Sequence, residues 1–378
     1  MSIIAVIVHF ITLAAVITGS EVMESTLWAA NWWGALSMPA FYTLAVLSLL
    51  LLPAKTARYL SNRNTGIPSG RLWRIFVIPA LSMALMALFR FRHTLTPGLE
   101  RMAGQAAEGL FYSPGSFIPT LLNQLFYRFL NGVFLLSAAD TVAAVSILAG
   151  GFFTAAALSA GRMVSDDNPG LAALLILSGG YVCSFFGAGS NITIPVLLVT
   201  LHLLVSIRYL SGSGSLITSA GLLLLALFSD PAAIYLLPGF IYLVISGFRS
   251  VTGRKSAVTA AAILAFCWAG AEIMALALSK ESPALVPALG MIGGAFEEGS
   301  ITGILAGAAN GVLIMGPGAA AAVILLALFY RFRKKCSERE IYLSVNAALA
   351  ILLVLSGRQH FDSGMNWNTL FAAGPALY

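Results

Sequence analysis

Residues 138–161 read AADTVAAVSILAGGFFTAAALSAG, and this stretch decides the fold. An α-helix rises about 1.5 Å per residue, so a helix of this length exceeds the roughly 30 Å thickness of a bilayer's hydrocarbon core. Asp140 is the only charged residue in it, and it stands near the start. Because lipid satisfies no backbone polar group, the stretch predicts a membrane-spanning α-helix.

The whole chain has the composition that such a helix implies. Of its 378 residues, 59% are apolar and 10% are charged. A soluble domain carries about 25% charged residues on its surface. Glycine is abundant, at 36 residues, as is typical of helices packed in lipid. These values exclude an ordinary soluble enzyme.

Ten further stretches approach the length that a spanning helix needs, about 17 residues or more. They are residues 2–19, 34–53, 74–90, 170–187, 191–208, 214–229, 231–248, 257–279, 314–331 and 341–357. Turn residues such as Ser229-Asp230-Pro231 separate the closest pairs, which predicts tight hairpins. We therefore expect an all-α polytopic transmembrane helix bundle of about 11 spans, forming a single domain over residues 1–378.

The distribution of lysine and arginine predicts the orientation of the bundle. With the N-terminus in the cytoplasm, fifteen of the 21 basic residues fall on the cytoplasmic side and six outside. The positive-inside rule favours this arrangement strongly over its inverse. The net charge of +6 is thus a topology signal, and nucleic acid is not an expected partner. The predicted location is the cell's inner membrane.

Three outer segments are too long to be simple turns. Residues 91–137 contain leucine and phenylalanine at helical spacing between polar residues, which predicts an interfacial helix. Residues 280–313 overlap the apolar run 301–315, which either re-enters the membrane or crosses it. The last segment, 358–378, ends like the first turns of a twelfth span, so we expect a truncated C-terminus.

The outer loop after residue 90 is the candidate substrate site. It carries four groups that could bind an anionic head group such as a polyprenyl phosphate: Arg90, Arg92, His93 and Arg101. Arginine suits phosphate because its planar guanidinium donates two parallel hydrogen bonds. Glu100 or Glu108 could then serve as general base for an acceptor hydroxyl. The alternative is that these cations only mark a helix end at the membrane interface.

The roles of four other polar residues can be interpreted in more than one way. Glu297 and Glu298 could attract a divalent metal ion, or could stabilise the N-terminus of a helix over residues 301–315. His202 and Glu272 lie within predicted spans, where ionisable residues are costly and often functional. For His202, a hydrogen bond to a backbone carbonyl is the simpler account. Glu272 needs a partner from another helix, or a proton.

Several short patterns are similar to those of a known family. Arg90-Phe-Arg-His-Thr-Leu-Thr-Pro-Gly98 is similar to an outer-loop Arg-x-x-Thr-x-x-Leu-Gly-Asp-Gly, and Phe185-Phe-Gly-Ala-Gly-Ser-Asn191 to Phe-Phe-Gly-Tyr-x-Glu-Asn. Residues 301–317 are similar to a helix carrying His, Asp and Asn before a proline. Asn366-Trp367-Asn368 is similar to Asp-Trp-Asp on the last outer loop. Through these patterns the chain resembles the bacterial membrane glycosyltransferases of the GT-C superfold.

The resemblance implies transfer of a sugar from a polyprenyl-phosphate donor on the extracytoplasmic side, with membrane lipids and the lipid-linked sugar as partners. Asn310 would then contact substrate, and a divalent metal ion could take part. The chain departs from the family at its acids. Pro97 stands where the family carries its catalytic Asp, and Ser190 where the second pattern has Glu. Only Glu100 and Glu108 remain in the outer loop as candidate bases.

Two other functions fit the sequence. One is a multi-span transporter or flippase for a lipid-linked substrate, for which Glu272, His202 and the glycine-interrupted spans would supply the transport site. The other is a non-catalytic relative of the glycosyltransferases, since fold similarity alone does not give function.

Overall fold

The computed structural model describes residues 72–90, 97–113, 116–164, 169–177, 180–187, 192–249, 251–277 and 337–356. These residues form helices, with no β-strand among them. The α-helices are α1 Ile78–Leu88, α2 Pro97–Ala107, α3 Phe117–Phe134, α4 Ala138–Val164, α5 Pro169–Leu177, α6 Thr193–Leu210, α7 Leu216–Ser229, α8 Leu237–Phe248, α9 Val251–Ala277 and α10 Glu338–Ser356. A π-helical turn precedes α1, and 3-10 turns precede α6 and α8.

Three of the described helices are long and apolar enough to cross a membrane. They are Ala138–Val164, Thr193–Leu210 and Pro231–Phe248. This result confirms the all-helical prediction for the described residues and is compatible with a membrane protein. The predicted spans 2–19, 34–53 and 314–331 lie outside the described residues, so the count of about eleven stays a prediction.

Helix α4 packs against α1, α2, α3, α5 and α6 and so lies at the centre of the first half of the bundle. Its small residues allow this close approach. A Cβ atom added at Gly150 or Gly151 would collide with the side chains of Met86 and Met83 on α1. Lipid gives helices no hydrophobic reason to associate, so close packing of this kind holds them together.

The second half of the bundle is built on the hairpin of α6 and α7. Helix α9 packs on α7 and α8, and α8 packs on α10. The predicted turn at residues 229–231 is confirmed: an Asp230 carboxylate oxygen accepts a hydrogen bond from the backbone N–H of Ala232, at 2.8 Å. Pro231 begins the 3-10 turn Pro231–Leu236, where its missing N–H costs nothing.

One predicted element is wrong. The expected continuous span over residues 170–187 is instead α5, ending at Leu177, and a separate 3-10 turn, Gly180–Phe185. The 3-10 turn begins at Gly180. Glycine costs about 1 kcal/mol relative to alanine inside an α-helix, so Gly180 disfavours continuation of the α-helix. The 3-10 turn packs on α4, where the rings of Phe185 and Phe153 stack with centroids 5.0 Å apart.

The crossing of α8 and α10 gives a test of the fold. Replacing Gly239 by alanine would place a Cβ atom against the buried side-chain amide of Asn346. We expect Gly239→Ala to lower the free energy of unfolding by about 1–3 kcal/mol, because the packed interface has no room. The measurement is the thermal unfolding midpoint of the purified protein in detergent.

Gly221→Ala on α7 is the matched control, since nothing lies within 4 Å of a Cβ atom there. That substitution should leave the midpoint unchanged or raise it, because alanine is the better helix former. Equal midpoints for the two variants would contradict the described crossing of α8 and α10.

Candidate functional site

An ion pair joins the end of α1 to the start of α4. Arg90 Nη2 lies 2.8 Å from Asp140 Oδ1, and both side chains are partly buried. The Ser137 hydroxyl donates to Asp140 Oδ2 at 2.7 Å and thereby holds the carboxylate in place. Gly187 lies against the Arg90 side chain, and a Cβ atom there would come within 2.9 Å of Arg90 Cγ. Asp140, in the first turn of α4, is therefore the ion-pair partner of Arg90.

Helix α3 has an inverted distribution of polar and apolar side chains. Four polar residues at its N-terminal end are buried: Ser116, Thr120, Asn123 and Gln124. Its exposed side chains include large apolar ones: Leu125, Phe129, Val133 and Phe134. Phe129, for example, is 61% exposed. A helix that turns apolar side chains outward and polar ones inward is suited to lipid on one side and a polar site on the other.

Gln124 and Arg128 hold α3 against α2 and the residues that follow it. With its side-chain amide oriented to satisfy both neighbours, Gln124 donates to the Ala106 carbonyl at 2.7 Å and accepts from Arg128 Nε at 3.1 Å. The Arg128 guanidinium also lies over the ring of Phe111, 4.4 Å from its centroid. These contacts confirm a helix within residues 91–137 and bring its polar face against α2.

Five buried polar atoms at this end of the bundle have no hydrogen-bond partner in the part of the chain that is described. They are Arg90 Nε, Gln105 Oε1, Ser116 Oγ, Asn123 Oδ1 and Thr141 Oγ1. We call these five residues the polar cluster. They lie on or beside α1, α2, α3 and α4, and α2, α3 and α4 pack on one another. A buried group without a partner costs about 1–3 kcal/mol, so such a concentration indicates a binding site.

The predicted site residues fall in three places. Arg90 belongs to the polar cluster. Glu100 and Arg101 are exposed on α2, and Glu108 is exposed in the turn directly after it; the buried face of α2 is formed by Leu99, Met102 and Ala106. The remaining predicted site residues lie outside the described part of the chain: Arg92, His93, Glu297, Glu298 and Asn310. Of the predicted bases, Glu100 thus lies on the exposed side of the helix that carries Gln105, and Glu108 is exposed just beyond its end.

Sequence reasoning missed the hydroxyl and amide members of the cluster. Ser116 and Asn123 of the cluster recur with Thr120 and Gln124 at helical spacing within an apolar stretch, and this spacing was the available signal. Among the described residues, no group of three or more His, Cys, Asp or Glu side chains could hold a metal ion. The metal prediction for Glu297 and Glu298 falls outside those residues and stays a prediction.

A second polar group lies inside the bundle around His202, which is fully buried. Its Nδ1 is 2.9 Å from the Ser219 carbonyl of α7, so Nδ1 carries the proton and donates. This contact confirms the expected hydrogen bond to a backbone carbonyl. In that tautomer Nε2 accepts from the Tyr342 hydroxyl of α10, at 3.2 Å. The hydroxyls of Ser206 and Ser219 lie 2.8 Å apart beside the ring.

Glu272 and Asp230 are two further acidic residues in or beside the described spans, and they are partly buried and buried respectively. Glu272 accepts a hydrogen bond from Trp268 Nε1 at 3.0 Å, so one of its hydrogen-bond donors lies one turn earlier on the same helix. Asp230 lies in the turn between α7 and α8 and is 3% exposed. Burial raises the pKa of Asp230 to about 7, and the hydrogen bond from the Ala232 N–H opposes that rise.

No family model, no curated protein and no solved structure matches this chain. The arguments about function therefore depend on the chain's own residues.

Two threonines of α4 test whether the polar cluster is unpartnered. Thr141 Oγ1 has no described partner, whereas Thr154 Oγ1 donates to the Gly150 carbonyl and accepts from the Ser82 hydroxyl. Both side chains are buried. We expect Thr154→Val to lower the free energy of unfolding by about 1–2 kcal/mol, and Thr141→Val to leave it unchanged or raise it.

Thermal unfolding of the two valine variants in the same detergent measures the difference. Valine matches threonine in shape, so packing is the same in both comparisons. A loss at Thr141 as large as that at Thr154 would mean that the Thr141 hydroxyl has a partner within the protein.

Proposed function

We propose that the protein is a GT-C-like glycosyltransferase that moves a sugar from a polyprenyl-phosphate donor on the extracytoplasmic side of the membrane. The observation that carries this proposal is the position of the polar cluster. It combines an arginine and unpartnered amide and hydroxyl groups with a helix, α3, that exposes apolar side chains. A ligand with an anionic, hydroxyl-bearing head and a lipid tail would satisfy both kinds of surface.

The proposed roles follow from the chemistry of each group. Arg90 keeps a buried Nε–H donor for a phosphate oxygen while Asp140 balances part of its charge. The oxygens of Gln105 and Asn123 can only accept, so they suit the hydroxyls of a sugar. Arg92, His93 and Arg101 would add to phosphate binding, and Asn310 to the substrate site. Glu100 or Glu108 would take the proton of the acceptor hydroxyl.

The two glutamates test the chemical step. Glu100 and Glu108 are exposed, so replacing both by glutamine should not disturb folding. A general base contributes about 10²–10⁴-fold to a rate, and the double variant should lose transfer by a factor in that range. The measurement is sugar transfer from a polyprenyl-phosphate donor by the purified protein in liposomes.

The control for this assay is Glu338→Gln, because Glu338 is an exposed carboxylate on α10 that faces Arg249, at 3.2 Å. That variant should transfer sugar at the wild-type rate. Unchanged transfer by the variant lacking both Glu100 and Glu108 would remove them from the mechanism.

The proposal requires a particular topology. We propose about 11 spans in the inner membrane, with the N-terminus in the cytoplasm and the polar cluster on the outer side. The charge distribution supports this orientation, since it leaves the basic residues 331–339 in the cytoplasm.

Cys336 lies within that basic segment and reports its side directly. In a variant that keeps Cys336 as its only cysteine, a membrane-impermeant maleimide should label inside-out vesicles and not intact cells. Ala107→Cys, at an exposed position of α2 in a cysteine-free background, should give the opposite pattern. Labelling of Cys336 in intact cells would place it on the same side as the polar cluster and would refute the topology.

A transporter or flippase for a lipid-linked substrate is the second candidate. One observation favours it: α7 and α8 meet at a buried acid, Asp230, followed by a 3-10 turn. Interrupted helices with polar groups at the break are typical of transport sites. If the lipid-linked sugar moves from one leaflet to the other with its chemical structure unchanged, that result would favour a flippase over a glycosyltransferase.

A further inference from the structure

The turn between α7 and α8 lies inside the protein. Every residue from 226 to 233 is buried, and Asp230 is 3% exposed. Helix α7 has 14 residues and rises about 21 Å, which is less than the roughly 30 Å thickness of a bilayer's hydrocarbon core. In a bilayer, non-helical backbone at this depth occurs only where protein buries it or where it lines a polar cavity. The polar groups of the turn therefore need partners within the protein or from a bound ligand.

Three backbone carbonyls at the C-terminus of α7 lack the donors that a continuing helix would give them. They belong to Leu227, Phe228 and Ser229. The first would accept from residue 231, but Pro231 has no N–H. The N–H groups of Ala232 and Ala233, which would serve the other two, donate instead to Asp230, at 2.8 Å to Oδ1 and at 3.0 Å to its carbonyl. No other described donor reaches these three oxygens, which we call the end carbonyls.

The Asp230 carboxylate lies at the same end of α7 as the end carbonyls. Neither of the ion pairs found among the described residues involves it. The carbonyl end of a helix carries a partial negative charge of about half an elementary charge, so a carboxylate there is disfavoured. Burial adds to this cost, because an ionised carboxylate without a counter-charge is expensive to remove from water. The turn therefore concentrates negative charge with no cation beside it in the described part of the chain.

We propose that the end carbonyls and the Asp230 carboxylate bind one monovalent alkali cation, such as Na⁺. Hard cations of this kind prefer oxygen ligands, and both carboxylates and backbone carbonyls serve. The carbonyls of a last helical turn point along the helix axis, toward the end at which Asp230 lies. Carbonyls at the ends of interrupted helices coordinate Na⁺ in this way in membrane proteins.

The charge of the turn selects a monovalent cation over a divalent one. Asp230 supplies one negative charge, which a single Na⁺ ion neutralises. A divalent ion would leave an uncompensated positive charge in a buried place, and sites for Ca²⁺ usually hold several carboxylates. No group of three or more His, Cys, Asp or Glu side chains is found among the described residues, and a monovalent ion bound largely by carbonyls needs none.

The cation site is built from other elements than the polar cluster. The 3-10 turn Pro231–Leu236 packs on α7, α8 and α10, whereas the polar cluster lies on or beside α1, α2, α3 and α4. The cation site therefore does not depend on the proposed glycosyltransferase function. A bound cation would join the last turn of α7 to Asp230. Because a ligand that binds only the folded state stabilises it, binding should raise the thermal stability of the protein.

The test is equilibrium binding of radioactive sodium to the purified full-length protein in detergent. The assay is run at about pH 8, above the pKa of about 7 that burial gives Asp230, so that the carboxyl is mostly ionised. We expect one sodium ion bound per chain, displaced by unlabelled sodium chloride and not by choline chloride. Calcium chloride at the same concentration should displace far less. Sodium chloride should also raise the thermal unfolding midpoint by a few degrees above its value in equimolar choline chloride.

Asp230→Asn isolates the charge of the carboxylate. Asparagine keeps the side-chain oxygen that accepts from the Ala232 N–H, so the turn can still form. The variant should lose the bound sodium and the rise of the midpoint in sodium chloride. In choline chloride its midpoint should equal or exceed that of the wild type, because the substitution removes a buried charge that has no counter-ion there.

Glu338→Gln is the matched control, since it removes an exposed carboxylate beside the opposite end of α8. It should bind sodium as the wild type does. Any of three results would overturn the proposal: no displaceable sodium on the wild-type protein, undiminished binding by folded Asp230→Asn, or displacement by calcium as strong as by sodium. The first result needs no variant, so the proposal can fail even if Asp230→Asn does not fold. An Asp230 that is kept neutral by a proton alone would give equal wild-type midpoints in sodium and choline chloride.

Discussion

The structure depends on one constraint: a hydrocarbon environment offers no partner to a polar group. Backbone amides must therefore bond within helices, and polar side chains must find partners inside the protein or be used by a ligand. Helix α4 meets the constraint with small residues and with threonine and serine hydroxyls that bond back to its own carbonyls, as Thr154 does to Gly150. Helices α1, α2, α3, α5 and α6 pack around α4, and its glycines allow the close approach of α1 and α5.

Against that constraint, two places stand out because polar side chains concentrate there. In the polar cluster, five buried atoms lack partners in the described part of the chain, and α3 turns its apolar side toward the outside. Around His202, by contrast, the imidazole bonds to the hydroxyls of Tyr342 and Ser219, and Ser219 bonds to Ser206. Unpartnered groups favour a site that binds a ligand, whereas mutually bonded groups favour a rigid core. The two places therefore suggest different roles within one bundle.

The ion pair between Arg90 and Asp140 connects the polar cluster to the core. Without Asp140, Arg90 would be an uncompensated charge at the end of α1, and without Arg90 the start of α4 would carry a lone carboxylate. Asp140 offsets part of the positive charge of Arg90. The geometry of the hydrogen bonds therefore contributes to ligand binding at this site as much as the charge does. A phosphate bound at this point would meet a guanidinium that is already oriented, held by Asp140 on one side and Gly187 on the other.

The sequence by itself determined the helical class, the approximate ends of most described helices, the hairpin turn at Asp230 and the carbonyl bond of His202, because length and periodicity in lipid leave few alternatives. It did not determine that residues Gly180–Phe185 form a 3-10 turn in place of a continued α-helix. Only the tertiary structure decided which polar groups meet: Arg90 with Asp140, and Tyr342 with His202, 140 residues away in the chain. Such pairs arise from helix packing, which depends on the shape of many side chains at once and leaves no periodic signal in the sequence.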